Sequence, residues 1–255
     1  MNNKTNTTIF ILGFLAILSL MTVIVWADSD DPFGVRNINY VGSSRANTSS
    51  YPPASTQAEA GNVTQLNLTA ISTTKAWQGY YGEITGTITL ENANGDVFYN
   101  WSAMEPKGEI YASINNTINW DNIQCFEWTG TPDLETVESW YGIEDDDADG
   151  INETFTDDSN IAFSVGTHNI SANTCPATNV YQNGGPVPGN FENVLLTDGV
   201  TIIFTTIIEN NEADNATDIV GFDGQTHDFQ LLVAENGHDG YEDTTTTYYF
   251  WAEIE

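Results

Sequence analysis

The sequence predicts an all-β fold: an antiparallel β-sandwich, with a jelly roll as one form of it, one short helix, and an N-terminal apolar helix. Three observations carry this prediction. Many short segments rich in β-branched and aromatic residues are separated by turn residues. A single segment has both start and stop signals of a helix. Residues 9–27 are almost entirely apolar.

The N-terminal run Ile9–Ala27 contains 19 residues. As a helix it would be about 28 Å long at about 1.5 Å per residue, which is close to a bilayer core. A cleavable signal usually has a shorter core of about 7–15 residues, but Val25 and Ala27 before Asp28 suit a signal peptidase. Cleaved signal peptide and retained membrane anchor both stay open. With Lys4 on the cytoplasmic side, either alternative places residues 28–255 at the extracellular face of the cell membrane or in the medium.

The chain is strongly acidic, with 36 Asp and Glu against five Lys and Arg and a net charge of −31. Such self-repulsion destabilises a compact state unless ions screen it. This composition is typical of a halophilic protein or of one loaded with divalent cations. Nucleic acid is excluded as a partner because phosphate contacts need clustered cations. Contact with a membrane is expected only through residues 9–27, if they are uncleaved.

Beyond the apolar run, residues 28–60 predict a flexible linker because they are rich in Ser, Pro and Asp. Ile38 and Tyr40 alternate with asparagines there, like an edge strand. Residues 61–255 form the predicted sandwich domain, which is long enough to bury one core.

Turn residues organise the strands of this domain into hairpins. Asn94-Gly95, between Gly82–Leu90 and Val97–Trp101, is the strongest signal. Gly86 inside the first of these strands indicates a bulge or a close backbone approach. Two more hairpins are predicted, Asn193–Leu196 with Val200–Ile208 and Ile219–Phe222 with His227–Val233. Further strands are predicted at Val63–Ile71, Gly108–Ile114, Ile118–Phe126 and Thr244–Ile254.

Two elements have more specific predictions. Val200–Ile208 is β-branched almost throughout, so it is expected to be a central strand. The helix is expected to begin with Thr131 as its cap and Pro132 at the first helical position, and to end at Gly142.

Several segments resemble uncharacterised secreted, N-glycosylated cell-surface proteins of archaea. The segments are Trp77–Gly86 with the Asn-Gly hairpin and Trp101, Gly221–Gly224, Asp228–Val233 and the Thr-Thr-Tyr-Tyr-Phe run near the end. The resemblance covers about residues 76–255. It implies a cell-surface location and transfers no functional residue.

Export also predicts chemical modification of the cysteines and of the glycosylation sequons. Cys125 and Cys175 are expected to form a disulfide in an oxidising compartment, with two free buried thiols as the alternative. Asn-X-Ser/Thr sequons are expected to carry glycans on surface loops, with unmodified asparagines as the alternative. The expected acceptors are Asn47, Asn62, Asn67, Asn100, Asn115, Asn169 and Asn215.

One acidic stretch predicts a Ca²⁺ loop. Alternate carboxylates followed by a glycine are the first half of such a loop, in which the glycine permits a sharp bend. The twelfth position is a threonine, so the last ligand would come from just beyond it. The proposed ligands are Asp145, Asp147, Asp149, the carbonyl of Ile151, Glu153 and Asp157. The alternative is a solvated acidic turn, and a glycan on Asn152 would be incompatible with the Ca²⁺ loop.

Aromatic residues are abundant and raise a carbohydrate-binding alternative. Core packing is the default role for such rings, but a sugar-stacking platform could form beside the acidic loop 235–243. Its candidate members are Trp77, Tyr80, Tyr81, Trp101, Trp120, Trp128, Trp140, Tyr141 and Trp251. The three histidines, His168, His227 and His238, are interpreted as incidental, since none has a partner at metal-binding spacing.

These observations favour a non-enzymatic surface protein: an envelope component, adhesin or filament subunit. Its expected partners are other cell-surface proteins or glycans. The segment Thr244–Glu255 could complete a neighbour's sheet by strand addition, or it could pair within its own sheet. A carbohydrate-binding module is the second hypothesis. A secreted glycoside hydrolase is the third, because 36 acids allow many carboxylate pairs.

Overall fold

The computed structural model describes residues 31–46, 52–103, 107–209, 219–237 and 245–254. The N-terminal run 9–27 and the sequons at Asn47 and Asn215 lie outside these residues. The fold is mostly β, with 34% strand and 8% helix, and all the strand pairs that it describes are antiparallel. The prediction of a mostly β fold with antiparallel sheets is therefore confirmed.

The elements of the described ranges follow one another in this order. The strands are β1 (Phe33–Gly34), β2 (Trp77–Gly82), β3 (Gly86–Glu91), β4 (Val97–Ala103), β5 (Gly108–Ser113), β6 (Gln124–Cys125), β7 (Phe163–Val165), β8 (His168–Ile170), β9 (Ala177–Asn179), β10 (Tyr181–Gln182), β11 (Gly185–Pro186), β12 (Glu192–Thr197), β13 (Ile202–Ile207), β14 (Phe229–Ala234) and β15 (Tyr249–Ile254). The helices are a 3₁₀ turn (Trp120–Asn122), α1 (Leu134–Tyr141) and α2 (Ile151–Thr154).

The largest sheet runs in the order β1, β15, β5, β13, β12, and the far edge of β12 pairs with both β6 and β9. All six residues of β13 are buried, which confirms the central strand predicted at Val200–Ile208. The edges are covered only by strands of two or three residues, and such short edge strands limit pairing with other chains.

Two apolar clusters cover opposite faces of this sheet. On one face, Leu195 and Phe204 pack with Leu231 and Val233 of β14 and with α1. On the other face, Leu196 and neighbouring residues pack with the β7–β8 hairpin and the disulfide region. Successive residues of a strand point to opposite faces. Burial of both faces therefore explains the consecutive apolar residues Ile202, Ile203 and Phe204 of β13.

The disulfide between Cys125 and Cys175 is present and confirms the predicted pairing. It joins β6 to the segment that precedes β9. The hairpins around Asn94-Gly95 and around Asp198-Gly199 are also confirmed, as β3–β4 and β12–β13.

Other strand predictions are wrong. Residues 63–71 form no strand, and their apolar side chains are exposed. Ile38 and Tyr40 are exposed as well, and the edge strand is Phe33–Gly34. The segment Ile219–Phe222 makes only the single bridge Val220–Thr226.

The third predicted hairpin fails because β14 pairs with β2 along its whole length. Leu231 and Val233 of β14 are buried against the large sheet, so burial selects a distant strand over the neighbouring one. Within Ile118–Phe126 the chain instead makes a 3₁₀ turn before the short β6. There the Asp198 carboxylate accepts the Asn119 N–H at 3.1 Å, and the Asn122 amide donates to the Asp198 carbonyl at 2.6 Å. Such side-chain bonds compete with a sheet ladder.

The predicted helix is α1, but its cap differs. Asp133, and not Thr131, caps it, because the Asp133 carboxylate accepts the Thr136 N–H at 3.0 Å. Gly142 ends it with φ +64°, as the sequence predicts. Among the described residues no helix is long and apolar enough to cross a membrane.

Candidate functional site

The proposed Ca²⁺ loop follows α1, and hydrogen bonds tie it to the start of β2. The Asp149 carboxylate accepts from the Thr74 hydroxyl at 2.5 Å, and the Asp149 carbonyl accepts from the Trp77 indole at 2.6 Å. The Asp147 carboxylate accepts the Glu144 N–H at 2.8 Å. The carboxylates of Asp147 and Asp149 therefore both have partners within the fold.

The last proposed ligands have other contacts in the fold. Ile151 is fully buried and begins α2. The Asp157 backbone pairs with Ala177, and the Asp157 carboxylate accepts the Ser159 N–H at 2.9 Å. Over the ranges that the structure describes, no group of three His, Cys, Asp or Glu side chains could hold a metal ion.

A carboxylate that the sequence pattern missed lies beside this loop. Glu138 of α1 is 4% exposed and accepts the Ile151 N–H at 3.1 Å. Burial raises the pKa of Glu138, and the negative charges of Glu153, Asp145 and Asp147 raise it further. The spacing of a metal loop could not reveal Glu138, because it comes from the preceding helix.

A second candidate region is the β3–β4 hairpin, whose strands pair with each other and with no other described strand. The cross-strand pairs Ile88–Trp101 and Leu90–Tyr99 place four large side chains on one face. These side chains are 51–56% exposed. We call Ile88, Leu90, Tyr99 and Trp101 the apolar hairpin face.

The opposite face of the hairpin is mainly polar. Thr87, Thr89 and the sequon residue Asn100 lie on it, because the pairs Thr87–Ser102 and Thr89–Asn100 alternate with the apolar pairs. A glycan on Asn100 would therefore leave the apolar hairpin face uncovered.

The base of the hairpin lies against the end of β15. At Gly86 a Cβ atom would be 2.5 Å from Cδ1 of Ile254. The Ile254 side chain thus lies close to the Gly86 backbone, whereas the irregular register falls between Leu90 and Glu91 and not at Gly86.

A third region is an exposed aromatic patch formed by Tyr81 of β2 and Phe222. Their ring centroids are 4.9 Å apart at 74°, and the side chains are 52% and 48% exposed. His227 lies 4.8 Å from the Tyr81 ring. Its Nε2 is 3.0 Å from Asp223, and its Nδ1 is 3.8 Å from Glu83. We call Tyr81, Phe222 and His227 the aromatic patch. His227 therefore has two carboxylate neighbours, which its position in the sequence does not indicate.

Most of the other aromatic residues proposed for a sugar platform are core residues. Tyr141 is 1% exposed. Trp77, Tyr80 and Trp128 pack on one apolar cluster, and Trp120 and Trp251 pack on the other. Trp140 is 38% exposed and lines an open groove of about 400 Å³ at the start of α1. Loop 235–243 is described only to residue 237.

Two buried carboxylates face each other on β5 and β15. Glu109 and Glu253 are directly opposite and are 6% and 4% exposed. Glu253 accepts from the Tyr111 hydroxyl at 3.2 Å and from the Gly166 N–H at 2.9 Å. Burial raises the pKa of Tyr111, as do the charges of both glutamates. Their burial favours a structural role over contact with a substrate.

The described sequons lie mostly on the surface. Asn115 is half-buried, and its side-chain oxygen accepts the Thr117 N–H at 3.1 Å. The exposed sequon residues are Asn62, Asn67, Asn100, Asn152 and Asn169.

Comparison with known proteins gives no match to this chain among protein-family models, curated proteins or solved structures. The function is therefore argued from the residues themselves.

Proposed function

We propose that this chain is a non-enzymatic protein of the extracellular surface: an envelope component, adhesin or filament subunit that works through contacts with other macromolecules. The apolar hairpin face carries the proposal. It exposes about half of each of four large side chains in a chain with a net charge of −31. Contiguous exposed apolar patches commonly mark interaction sites.

Export is supported by several features. The apolar run 9–27 precedes a Ser- and Pro-rich stretch, and the disulfide joins Cys125 to Cys175. Disulfides persist mainly in oxidising compartments. The resemblance to secreted archaeal surface proteins points to the same location, and the exposed sequons suit glycosylation.

We also propose that the fold is a β-sandwich. The two-stranded sheet of β2 and β14 would form its second layer, over the large sheet. The burial of Leu231, Val233 and Phe204 in one cluster supports this arrangement, because two packed layers around one core are the usual way to bury a sheet face.

Labelling of intact cells tests the proposed location. We expect a membrane-impermeant amine reagent to modify Lys75 or Lys107 without lysis, and we expect the chain in the envelope or the medium. A cytoplasmic protein serves as the unlabelled control. Labelling of this chain only after lysis would overturn the proposal.

Carbohydrate binding is a second candidate function, and the aromatic patch favours it. Tyr81 and Phe222 offer two exposed rings beside the carboxylates of Glu83 and Asp223. Aromatic rings present apolar surface to sugars, and carboxylates accept hydrogen bonds from hydroxyls.

We predict that Phe222→Ala abolishes any glycan binding, because it removes one of the two stacking rings. Glycan-array binding followed by calorimetry would measure the effect. Phe98→Ala is the matched control, since Phe98 is an 85% exposed ring outside the patch. An array without signal for the wild-type chain would reject this function.

Calcium stabilisation remains a prediction of the acidic loop. We expect chelator to lower the melting temperature of the wild-type chain, because Ca²⁺ would offset the repulsion among Glu138, Asp145, Asp147 and Glu153. Asp147→Ala should abolish this response to chelator. Asp121→Ala, which removes an exposed carboxylate elsewhere in the chain, should retain it. Identical melting curves with and without chelator would contradict calcium binding.

A further inference from the structure

Residues 62–71 have the composition of a strand but lie outside every sheet in the described structure. We call them segment 62–71. Their apolar side chains are exposed: Val63 102%, Leu66 53%, Leu68 86% and Ile71 73%. An exposed apolar segment of this kind can add as a strand to the free edge of a sheet.

The β3–β4 hairpin is the complementary feature. An isolated two-stranded hairpin is marginally stable in water and usually needs a third strand or a packed face. In the described structure the backbone of β3 and β4 bonds only within the hairpin and its turn. Among the described strands, none covers an outer edge of the hairpin, next to the apolar hairpin face.

We propose that segment 62–71 of one copy of this chain adds as a strand to the β3–β4 hairpin of a second copy. This inference rests on the proposed function and specifies its partner. The segment has ten residues, about 33 Å when extended at about 3.3 Å per residue. That length exceeds the six and seven residues of β3 and β4.

The side-chain pattern fits such a third strand. Leu66 and Leu68 share one face of an extended segment, and Asn67 points to the other face. When the leucines extend the apolar hairpin face, Asn67 comes to the side of Asn100. The sequons at Asn67 and Asn100 then lie away from the buried face. Asn62, the first residue of the segment, falls on the leucine face, so a glycan there requires that it lie beyond the paired residues.

Charge favours these strands as the place where two copies meet. Copies of a chain at −31 repel each other over most of their surface. Segment 62–71 has no charged residue, and β3 and β4 have only Glu91, whose carboxylate lies 3.4 Å from Arg36. Two copies therefore approach with least repulsion along these strands.

Pairing between copies also agrees with the contacts inside one copy of the chain. Strand β2 lies in sequence between segment 62–71 and β3, and it is held by β14 over six residue pairs. The side chains of segment 62–71 remain exposed in this chain. The other expected donor, the chain's C-terminal part, pairs as β15 with β5 and β1 of its own sheet.

A donor and an acceptor at different places on the same chain make a head-to-tail contact, which propagates. We expect the full chain, in salt that screens its charge, to form oligomers of increasing length by light scattering and electron microscopy. Leu66→Asp and Ile88→Asp should each give monomers. Gln65→Asp and Thr87→Asp are matched controls, because they add the same charge to adjacent residues on the opposite face, and they should still assemble.

Mixing provides the decisive measurement. Leu66→Asp retains the acceptor and Ile88→Asp retains the donor, so the mixture should give 1:1 dimers that grow no further. A monomeric wild-type chain, oligomers of either variant alone, or a mixture without dimers would overturn the inference. Surface labelling of intact cells is independent of assembly, so a monomer labelled at the surface would reject this inference while leaving the proposed function in place.

Discussion

Replacing Asn193 with alanine is expected to lower the free energy of unfolding by about 2–5 kcal/mol, because it removes the hydrogen bonds of a buried amide and leaves the Leu232 N–H without its partner. Asn193 lies on β12 and is 1% exposed. Its Nδ2 donates to the Gln230 carbonyl at 2.8 Å, and its Oδ1 accepts the Leu232 N–H at 2.7 Å. One side chain therefore joins the large sheet to the backbone of β14.

These two hydrogen bonds differ in what their loss leaves behind. The Gln230 carbonyl also accepts from the Thr206 hydroxyl at 3.0 Å, so it keeps a partner in the variant. The Leu232 N–H loses the amide oxygen in a half-buried position. A buried unsatisfied donor costs about 1–3 kcal/mol, and loss of packing adds to this cost.

Denaturant unfolding of the full chain would measure the change. Asn190→Ala is the matched control: the Asn190 amide donates to the Gln182 side chain at 3.0 Å, and both residues are half-buried. We expect the control to cost less than about 1 kcal/mol. If Asn193→Ala were no more destabilising than the control, the proposed role of Asn193 would be wrong.

The role of Asn193 also shows what the sequence could predict. Its place at the start of a buried strand followed from local pattern, as did the hairpins β3–β4 and β12–β13. Those elements depend on turn residues and neighbours in the chain. The partner of Asn193 lies in β14, and β14 pairs with β2, about 150 residues away in sequence. No local pattern encodes that pairing.

The same limit applies to the candidate sites. The spacing of Asp145, Asp147 and Asp149 revealed an acidic loop, but Glu138 reaches it from α1. The backbone of Asp157 pairs with Ala177, which the spacing of the acidic loop does not indicate either. Residues 63–71 have the roughly alternating apolar pattern of a strand, but such a pattern does not supply a partner strand.

Removal of the disulfide is expected to have a comparably large effect, about 4 kcal/mol on the chain-entropy model. The bridge spans a sequence separation of 50 residues, so it restricts a long loop of the unfolded chain. The suitable variant is Cys125→Ser with Cys175→Ala, since Cys175 is fully buried and a serine there would bury a hydroxyl. Denaturant unfolding of this variant and of the reduced wild-type chain should give the same loss.

The loss should also be uneven across the fold. Cys125 ends β6, which pairs with Leu196 and Thr197, while β9 pairs with the first half of β12. Strands of two and three residues have few hydrogen bonds of their own, so the bridge holds this edge of the sheet. Hydrogen exchange should therefore accelerate most at β6 and β9 and least at β13, whose two neighbours remain in place. Uniform acceleration would mean that the bridge acts only on the unfolded chain, and unchanged unfolding would contradict any stabilising role.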